Sequence, residues 1–277
     1  MPAKVTRAAA VLLALGALAY TTWVVEVVVQ TGLDPIRTYV SELAAQDQPL
    51  GGLFRATDLA AGALVLAGAL AGLLTTTRRY GAGAGTTAVG SPPGAGTTAA
   101  GSAPGAGAAT VGPAPRAGAG PEGSPPRRRR PWEVVGWAAL ALFGAATVAD
   151  SRLPLSCAPT VDPACAARET AGLVPATHTA HAVSSSLAMT GALVAIVALT
   201  VAARRHGRLR PLARTGPVLV VLEFAATAWT LVAVAAFEAG KGIWSLGAGQ
   251  RLQVLLVAVW IGVLAYALAT EDRRERP

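Results

Sequence analysis

Four side chains with catalytic or metal-binding chemistry lie in the middle of the sequence: Asp150, His178, His181 and Ser185. On a helix, the spacing of the last three (i, i+3, i+7) places them on one face. Two histidines and a carboxylate can bind a catalytic zinc ion that keeps water in its open position. A serine with a histidine and an aspartate also has the groups for nucleophilic catalysis. The same residues can instead bind a ligand or an ion, or form a hydrogen-bonded cluster that holds helices together, so these interpretations all stay open.

Glu42, Asp58 and Arg251 are candidates for ligand binding. A charged side chain near a membrane interior is costly, so it either finds a partner or faces a polar cavity. One interpretation pairs Arg251 with Asp150, Glu42 or Asp58, and the other makes Arg251 a clamp for an anionic headgroup.

The composition predicts which elements must position these groups. Hydrophobic residues make up 53% of the 277 residues and charged residues only 14%, and the mean hydropathy is +0.49. These values argue against a soluble enzyme, in which roughly 25% of residues are charged. Six apolar runs are about as long as a membrane-crossing helix, at residues 8–30, 53–75, 132–149, 181–203, 217–237 and 252–270. We therefore predict an all-α, polytopic membrane protein with a bundle of six transmembrane helices.

The distribution of basic residues predicts the orientation of these helices. With the N-terminus in the cytoplasm, the inner segments hold 17 of the 23 Lys and Arg residues, as the positive-inside rule requires. We expect a multi-pass protein of the plasma membrane with an uncleaved first helix and both termini cytoplasmic. The net charge of +8 then reports topology, and we expect no nucleic-acid partner.

With this orientation, every apolar run places a charged or titratable residue near its outer end. These residues are Glu26, Asp58, Asp150, His181, Glu238 and Arg251. We expect them to face one polar, outward-facing cavity, in which Asp150, His178, His181 and Arg251 converge.

A Gly/Pro/Ala-rich segment divides the chain. Residues 81–130 include 13 Gly and 8 Pro, and they offer almost nothing apolar to bury, so ordering them is unfavourable. We predict three parts: 1–80 with helices 1 and 2 and an outer loop at 31–52, a disordered cytoplasmic linker at 81–131, and 132–277 with helices 3 to 6. The linker ends in a basic cluster that fixes topology and can also contact anionic lipid, formed by Arg127, Arg128, Arg129 and Arg130.

Two outer loops carry further signals. Cys157 and Cys165 are the only cysteines, and on the outer side of a membrane they are expected to form a disulfide. In the loop before the second span, Asp34 and Pro35 resemble the start of a helix. The apolar residues that follow share one helical face, which predicts a short interfacial helix at about 35–46.

Several short motifs occur in order along the chain: Ser41-Glu42-Leu43-Ala44 with Leu53-Phe54, then Asp150, Cys157-Ala158-Pro159, Asp162-Pro163-Ala164-Cys165, the histidines before Ser184-Ser185-Ser186, and Gly249-Gln250-Arg251 before Trp260. Together they resemble the uncharacterised prokaryotic six-helix membrane family called domain of unknown function 998. The resemblance implies a six-helix bundle and no established activity, and the long linker departs from the family's short connection. The outer His/Asp/Ser group is also similar to that of seven-helix ceramidase-like membrane hydrolases, although this chain has one helix fewer.

We therefore expect an integral membrane protein of unknown biochemical activity that binds a lipid or a membrane partner in an outward-facing polar cavity. The alternative is a metal-assisted membrane hydrolase that acts on a lipid or cell-envelope ester or amide. Its cofactor would be zinc, held by His178, His181 and Asp150.

Overall fold

The computed structural model describes residues 3–84 and 131–274. In these ranges the chain is helical and contains no β-strand. The α-helices are α1 (Ala3–Tyr20), α2 (Gly51–Ala84), α3 (Pro131–Arg152), α4 (Pro163–Thr170), α5 (Ala176–His206), α6 (Arg210–Glu238) and α7 (Leu246–Arg274). Two 3₁₀ turns are present as well, Thr22–Val27 directly after α1 and Val40–Ala44 in the loop before α2.

Six of the described helices are long and apolar enough to cross a membrane, namely all except α4. The protein is thus a multi-pass membrane protein, as the sequence predicts. The observed helices start or end several residues outside the predicted runs. Helix α5 begins at Ala176, so both candidate histidines lie inside it, and α2 continues to Ala84. Apart from 81–84 in α2 and Pro131 in α3, the predicted linker and its four arginines lie outside the described residues.

The loops at 28–50, 153–175 and 239–245 meet at one end of the bundle, which we call the disulfide end. The backbone N–H of Gln46 donates to the Leu155 carbonyl, and that of Ala248 donates to the Ile36 carbonyl. Tyr39 and Phe237 form an edge-to-face ring pair with centroids 6.3 Å apart. These contacts join the first loop to the second and to the ends of α6 and α7, so polar residues at the ends of different helices come close together there.

Small residues allow the helices to approach closely. A Cβ atom on Gly144 of α3 would lie 2.6 Å from the Leu66 backbone nitrogen and 2.8 Å from the Gly62 carbonyl oxygen, both in α2. On Gly191 of α5, a Cβ atom would lie 2.8 Å from the Phe143 backbone nitrogen. Glycine is therefore required where α3 crosses α2 and α5. Such close packing drives the association of helices in lipid, because lipid tails are as apolar as the side chains and no hydrophobic effect pushes the helices together.

The loop before α2 differs from the prediction. The Asp34 side chain does accept a hydrogen bond from the Ile36 N–H at 2.9 Å, but a turn and the 3₁₀ turn Val40–Ala44 follow instead of an interfacial α-helix at 35–46. Leu43 packs with Phe54 in a small core against the bundle. Tertiary partners override the local helical pattern here, because the Val40 N–H donates to Gln250 Oε1 at 2.6 Å.

The predicted disulfide is present. Cys157 and Cys165 are bonded with their Cα atoms 6.0 Å apart. Cys165 belongs to the short helix α4, which the sequence analysis did not predict. Asp162 caps this helix by accepting a hydrogen bond from the Ala164 N–H at 2.9 Å. The disulfide therefore closes a compact loop at the disulfide end.

Candidate functional site

Asp150, at the end of α3, is the centre of a polar cluster with α5. Its carboxylate accepts hydrogen bonds from the hydroxyls of Ser184 and Ser185, the second at 2.7 Å. His181 Nδ1 lies 3.2 Å from Asp150 Oδ1 and 2.9 Å from the Leu153 carbonyl oxygen. A carbonyl can only accept, so Nδ1 carries a proton. Three of the four residues with candidate chemistry thus lie together, and Ser184 joins them.

The arrangement of Ser185, His181 and Asp150 differs from a serine-hydrolase triad. In a triad, the hydroxyl donates to the histidine, and the aspartate orients the opposite ring nitrogen. Here Ser185 donates directly to Asp150, while His181 Nε2 is 3.3 Å from the Ser185 oxygen. The serine proton is therefore held by the carboxylate, and the cluster ties α3 to α5.

His178 has other partners, although it is almost completely buried. Its Nδ1 accepts from the Ser156 N–H at 3.1 Å and lies 2.9 Å from the Ser156 hydroxyl. Its Nε2 lies 3.4 Å from Glu169 Oε1 of α4. The predicted convergence of His178 with His181 and Asp150 is wrong, because the disulfide loop supplies the partners of His178. No group of three His, Cys, Asp or Glu side chains within 3–84 and 131–274 is placed to hold a metal ion.

Arg251, in the first turns of α7, is bound by Glu26 rather than by the predicted partners Asp150, Glu42 or Asp58. Its Nε and Nη2 donate to the two carboxylate oxygens of Glu26 at 2.5 and 2.7 Å. Its Nη1 donates to the Thr38 carbonyl at 2.7 Å. Helix α1 packs beside α7, and the 3₁₀ turn after α1 carries Glu26 to this position. The guanidinium is thus already occupied by a carboxylate and a loop carbonyl.

Glu42 joins two loops of the disulfide end. Its carboxylate accepts from the Thr160 N–H at 2.8 Å, from the Thr160 hydroxyl, and from the Tyr39 N–H at 3.1 Å. The side chain is excluded from solvent. Burial raises the pKa of the Glu42 carboxyl above its ordinary value, and the hydrogen bonds from Thr160 and Tyr39 and the charge of Arg251 oppose this rise. Glu42 therefore holds the disulfide loop against the turn Val40–Ala44.

A cavity of about 100 Å³ lies at the disulfide end beneath this turn. Residues from α1, α2, α3, α5 and α7 line it, and its polar lining includes Asp58, Asp150, His181, Ser185, Gln250 and Gln253. Asp58, Asp150, His181 and Ser185 therefore share one cavity, as expected. Five candidate or predicted residues do not line it: Glu26, Glu42, His178, Glu238 and Arg251. The prediction that Glu26 and Glu238 face this cavity is therefore wrong, as is the prediction that His178 and Arg251 converge there with Asp150 and His181.

Aromatic residues form another part of the cavity wall, and the sequence alone does not single them out. Tyr20, Trp23 and Phe54 line it together with Leu43 and Met189. Because these residues lie in or near apolar spans, their sequence positions do not distinguish them from core or lipid-facing residues. Gln253 was also missed, although a polar residue inside an apolar span is a signal that could have found it.

A further buried carboxylate lies in α6, outside this cavity. Glu223 is fully excluded from solvent, and neither carboxyl oxygen has a hydrogen-bond partner of good geometry. One turn along, the Thr227 hydroxyl accepts from Gln253 Nε2 at 2.9 Å. Gln253 thus forms a polar link from the cavity towards the middle of α6.

A comparison with protein families gives one match. The model of the family described as "Protein of unknown function (DUF998)" matches residues 8–120 and 122–267. No curated protein and no solved structure matches the chain. The family match supplies no activity, but it spans nearly all of the sequence, including every membrane-spanning helix. The chain therefore belongs to the DUF998 family of membrane proteins of unknown function.

Proposed function

We propose that the protein binds the polar headgroup of a lipid, or a similar group on a membrane partner, in the cavity at the disulfide end. The observation that carries the proposal is a cavity with two carboxylates, Asp58 and Asp150, at one end of a bundle of apolar helices. Pockets for drug-sized ligands measure roughly 300–1,000 Å³. A cavity of about 100 Å³ has room for a small polar group, so the remainder of the ligand must lie outside it.

We further propose that the disulfide end faces outward from the plasma membrane and that both termini are cytoplasmic. The excess of Lys and Arg in the segments at the opposite end supports this orientation. The disulfide between Cys157 and Cys165 supports it independently, because such bonds persist outside the reducing cytoplasm.

Labelling with a membrane-impermeant maleimide tests the orientation. Lys241 is exposed in a loop of the disulfide end, and Arg204 is exposed near the opposite end of α5. In intact cells, Lys241→Cys should react and Arg204→Cys should react only after lysis. The reverse pattern would show that the cavity faces the cytoplasm.

Lipid binding is tested by filling the cavity. Thr57 lines the cavity and donates to the Phe54 carbonyl, whereas Thr77 of the same helix is exposed and donates to the Leu73 carbonyl. Native mass spectrometry of the protein released from nanodiscs should detect a lipid adduct that is lost in Thr57→Phe and retained in Thr77→Phe. Equal adducts in both variants would refute binding in this cavity.

A second candidate is hydrolysis of a lipid or cell-envelope ester or amide, favoured by the 3.3 Å approach of His181 Nε2 to Ser185 at the cavity. A fluorophosphonate probe, which reacts with activated serines, distinguishes this candidate. A covalent adduct that disappears in Ser185→Ala but not in Ser186→Ala would establish a nucleophilic serine.

A further inference from the structure

The charge of the cavity wall favours a cationic ligand. Asp58 and Asp150 both face the cavity, and among the described residues no Lys or Arg lines it. With both carboxylates ionised, the wall carries a net negative charge even if His181 is protonated. Arg251, the basic residue closest in the sequence to the lining residues Gln250 and Gln253, is occupied by Glu26. An anionic ligand would therefore meet repulsion without a compensating cation.

The two carboxylates of the cavity differ in how they are bound. Asp150 is held by Ser184, Ser185 and His181. In the part of the chain that the structure describes, Asp58 lines the cavity, is half-buried and has no hydrogen-bond or ion-pair partner. A carboxylate without a donor at the edge of an apolar bundle is unfavourable. A ligand that donates hydrogen bonds and carries positive charge would satisfy Asp58.

The aromatic wall indicates which kind of cation fits. Tyr20, Trp23 and Phe54 line the cavity, and an aromatic ring attracts an organic cation that lies over its face. Ca²⁺ needs six to eight oxygen ligands and Mg²⁺ six in a rigid octahedron. Within the described residues, no group of three His, Cys, Asp or Glu side chains is placed to supply such a shell, and the aromatic side chains of the wall suit an ammonium group with alkyl substituents.

We propose that the cavity binds an organic ammonium group, with Asp58 as its counter-ion and the aromatic wall around its alkyl substituents. This proposal rests on the proposed function, namely that the cavity binds a ligand, and it specifies the chemistry of that ligand. The ammonium group can belong to a phospholipid headgroup or to a small free amine, and the experiment distinguishes these sources.

The experiment compares three headgroups on the full-length protein in nanodiscs. Phosphatidylethanolamine and phosphatidylcholine carry an ammonium group, whereas phosphatidylglycerol carries the same phosphate without one. Lipid adducts are detected by native mass spectrometry, and only the adduct that is lost in Thr57→Phe is counted. Lipids bound elsewhere persist in this variant and are therefore excluded from the comparison. We expect this site to prefer the ammonium lipids by about tenfold or more, which corresponds to about 1.4 kcal/mol. In a second arm, ethylammonium and tetramethylammonium chloride are titrated in detergent, with Trp fluorescence as the readout.

The matched variants are Asp58→Asn in the cavity and Asp47→Asn, an exposed aspartate of the same end. Asp58→Asn should reduce the ratio of ammonium-lipid to phosphatidylglycerol binding to about one, and Asp47→Asn should leave this ratio unchanged. If Asp58→Asn folds poorly, the comparison of the three lipids on the wild-type protein still tests the proposal.

The outcomes separate the two proposals. Binding of free ammonium without any site-specific lipid adduct would support the inference with a free amine as the ligand. Site-specific lipid binding with equal or greater affinity for phosphatidylglycerol would overturn the inference and leave the proposed function intact. Absence of both lipid and ammonium binding would overturn both.

Discussion

Removing the carboxylate of Glu26 should destabilise the protein strongly, because Arg251 would lose its counter-ion inside the bundle. The side chains of Glu26 and Arg251 are only 1% and 8% exposed. After Glu26→Gln, the guanidinium would keep the Thr38 carbonyl at 2.7 Å and the Gly247 carbonyl at 3.3 Å, but no carboxylate bound to it. Breaking a buried ion pair in this way costs about 3–5 kcal/mol.

A double-mutant cycle separates the pair from its surroundings. Arg251→Met alone should also be costly, because it leaves the Glu26 carboxylate buried without a donor. The double variant Glu26→Leu/Arg251→Met replaces both charges by apolar groups, which is often close to neutral for buried pairs. The single variants Glu26→Leu and Arg251→Met are measured for comparison. We expect the double variant to lose much less unfolding free energy than the sum of the losses of the two single variants.

The free energy of unfolding is measured by titrating the purified protein with sodium dodecyl sulfate in mixed micelles and following helix content by circular dichroism. The control is Arg168→Met, because Arg168 and Asp162 form an exposed pair at 3.7 Å with 49% and 43% side-chain exposure. Such a pair contributes below about 1 kcal/mol. If Glu26→Gln were no more destabilising than this control, the reasoning from burial would be refuted.

Three further predictions concern the disulfide end and a helix crossing. The variant Cys157→Ser/Cys165→Ser should lose about 2.5 kcal/mol of stability, as expected for a closed loop with a sequence separation of 8, and reduced wild type should match it in the same assay. Gly144→Ala should cost about 1–3 kcal/mol by overpacking, whereas Gly262→Ala, where a Cβ atom would meet nothing within 4 Å, should show no loss in thermal unfolding. Because the folded-state pKa of Glu42 is raised above 4.5, its contribution is present below that pH and is lost as pH rises through the raised pKa. Melting temperatures measured upward from pH 4 should therefore fall relative to Glu42→Gln, and parallel curves would contradict this.

The membrane-spanning helices could be predicted from the sequence because lipid imposes a minimum apolar length on each span. The boundaries were less certain, since a helix can continue beyond the apolar run. Helix α5 begins at Ala176 rather than near 181, so His178 lies in the first turn of the helix and not in the loop before it. The disulfide was equally predictable, because two nearby cysteines on one side of the membrane leave few other partners.

The partner of Arg251 could not be predicted, because six helices bring several carboxylates to the same membrane level. Which of them reaches the guanidinium depends on the order in which the helices pack, and an apolar run carries little information on that order. The structure places α1 beside α7, and this contact selects Glu26. The loop at 35–46 was misassigned for a related reason, since Gln250 and Thr160, which are distant in sequence, bind its backbone and its glutamate.

The different environments of the acidic residues at the disulfide end indicate where function should be sought first. Glu26 is bound by Arg251, Glu42 by Thr160 and the Tyr39 N–H, and Asp150 by two serines and His181. Each of these carboxylates stabilises a contact between elements, so its substitution is expected to lower stability, and loss of function would be hard to interpret. Asp58 lines the cavity without such a partner in the described residues. Its substitution removes a charge without breaking a contact of the fold, so a change in ligand binding can be assigned to the site itself.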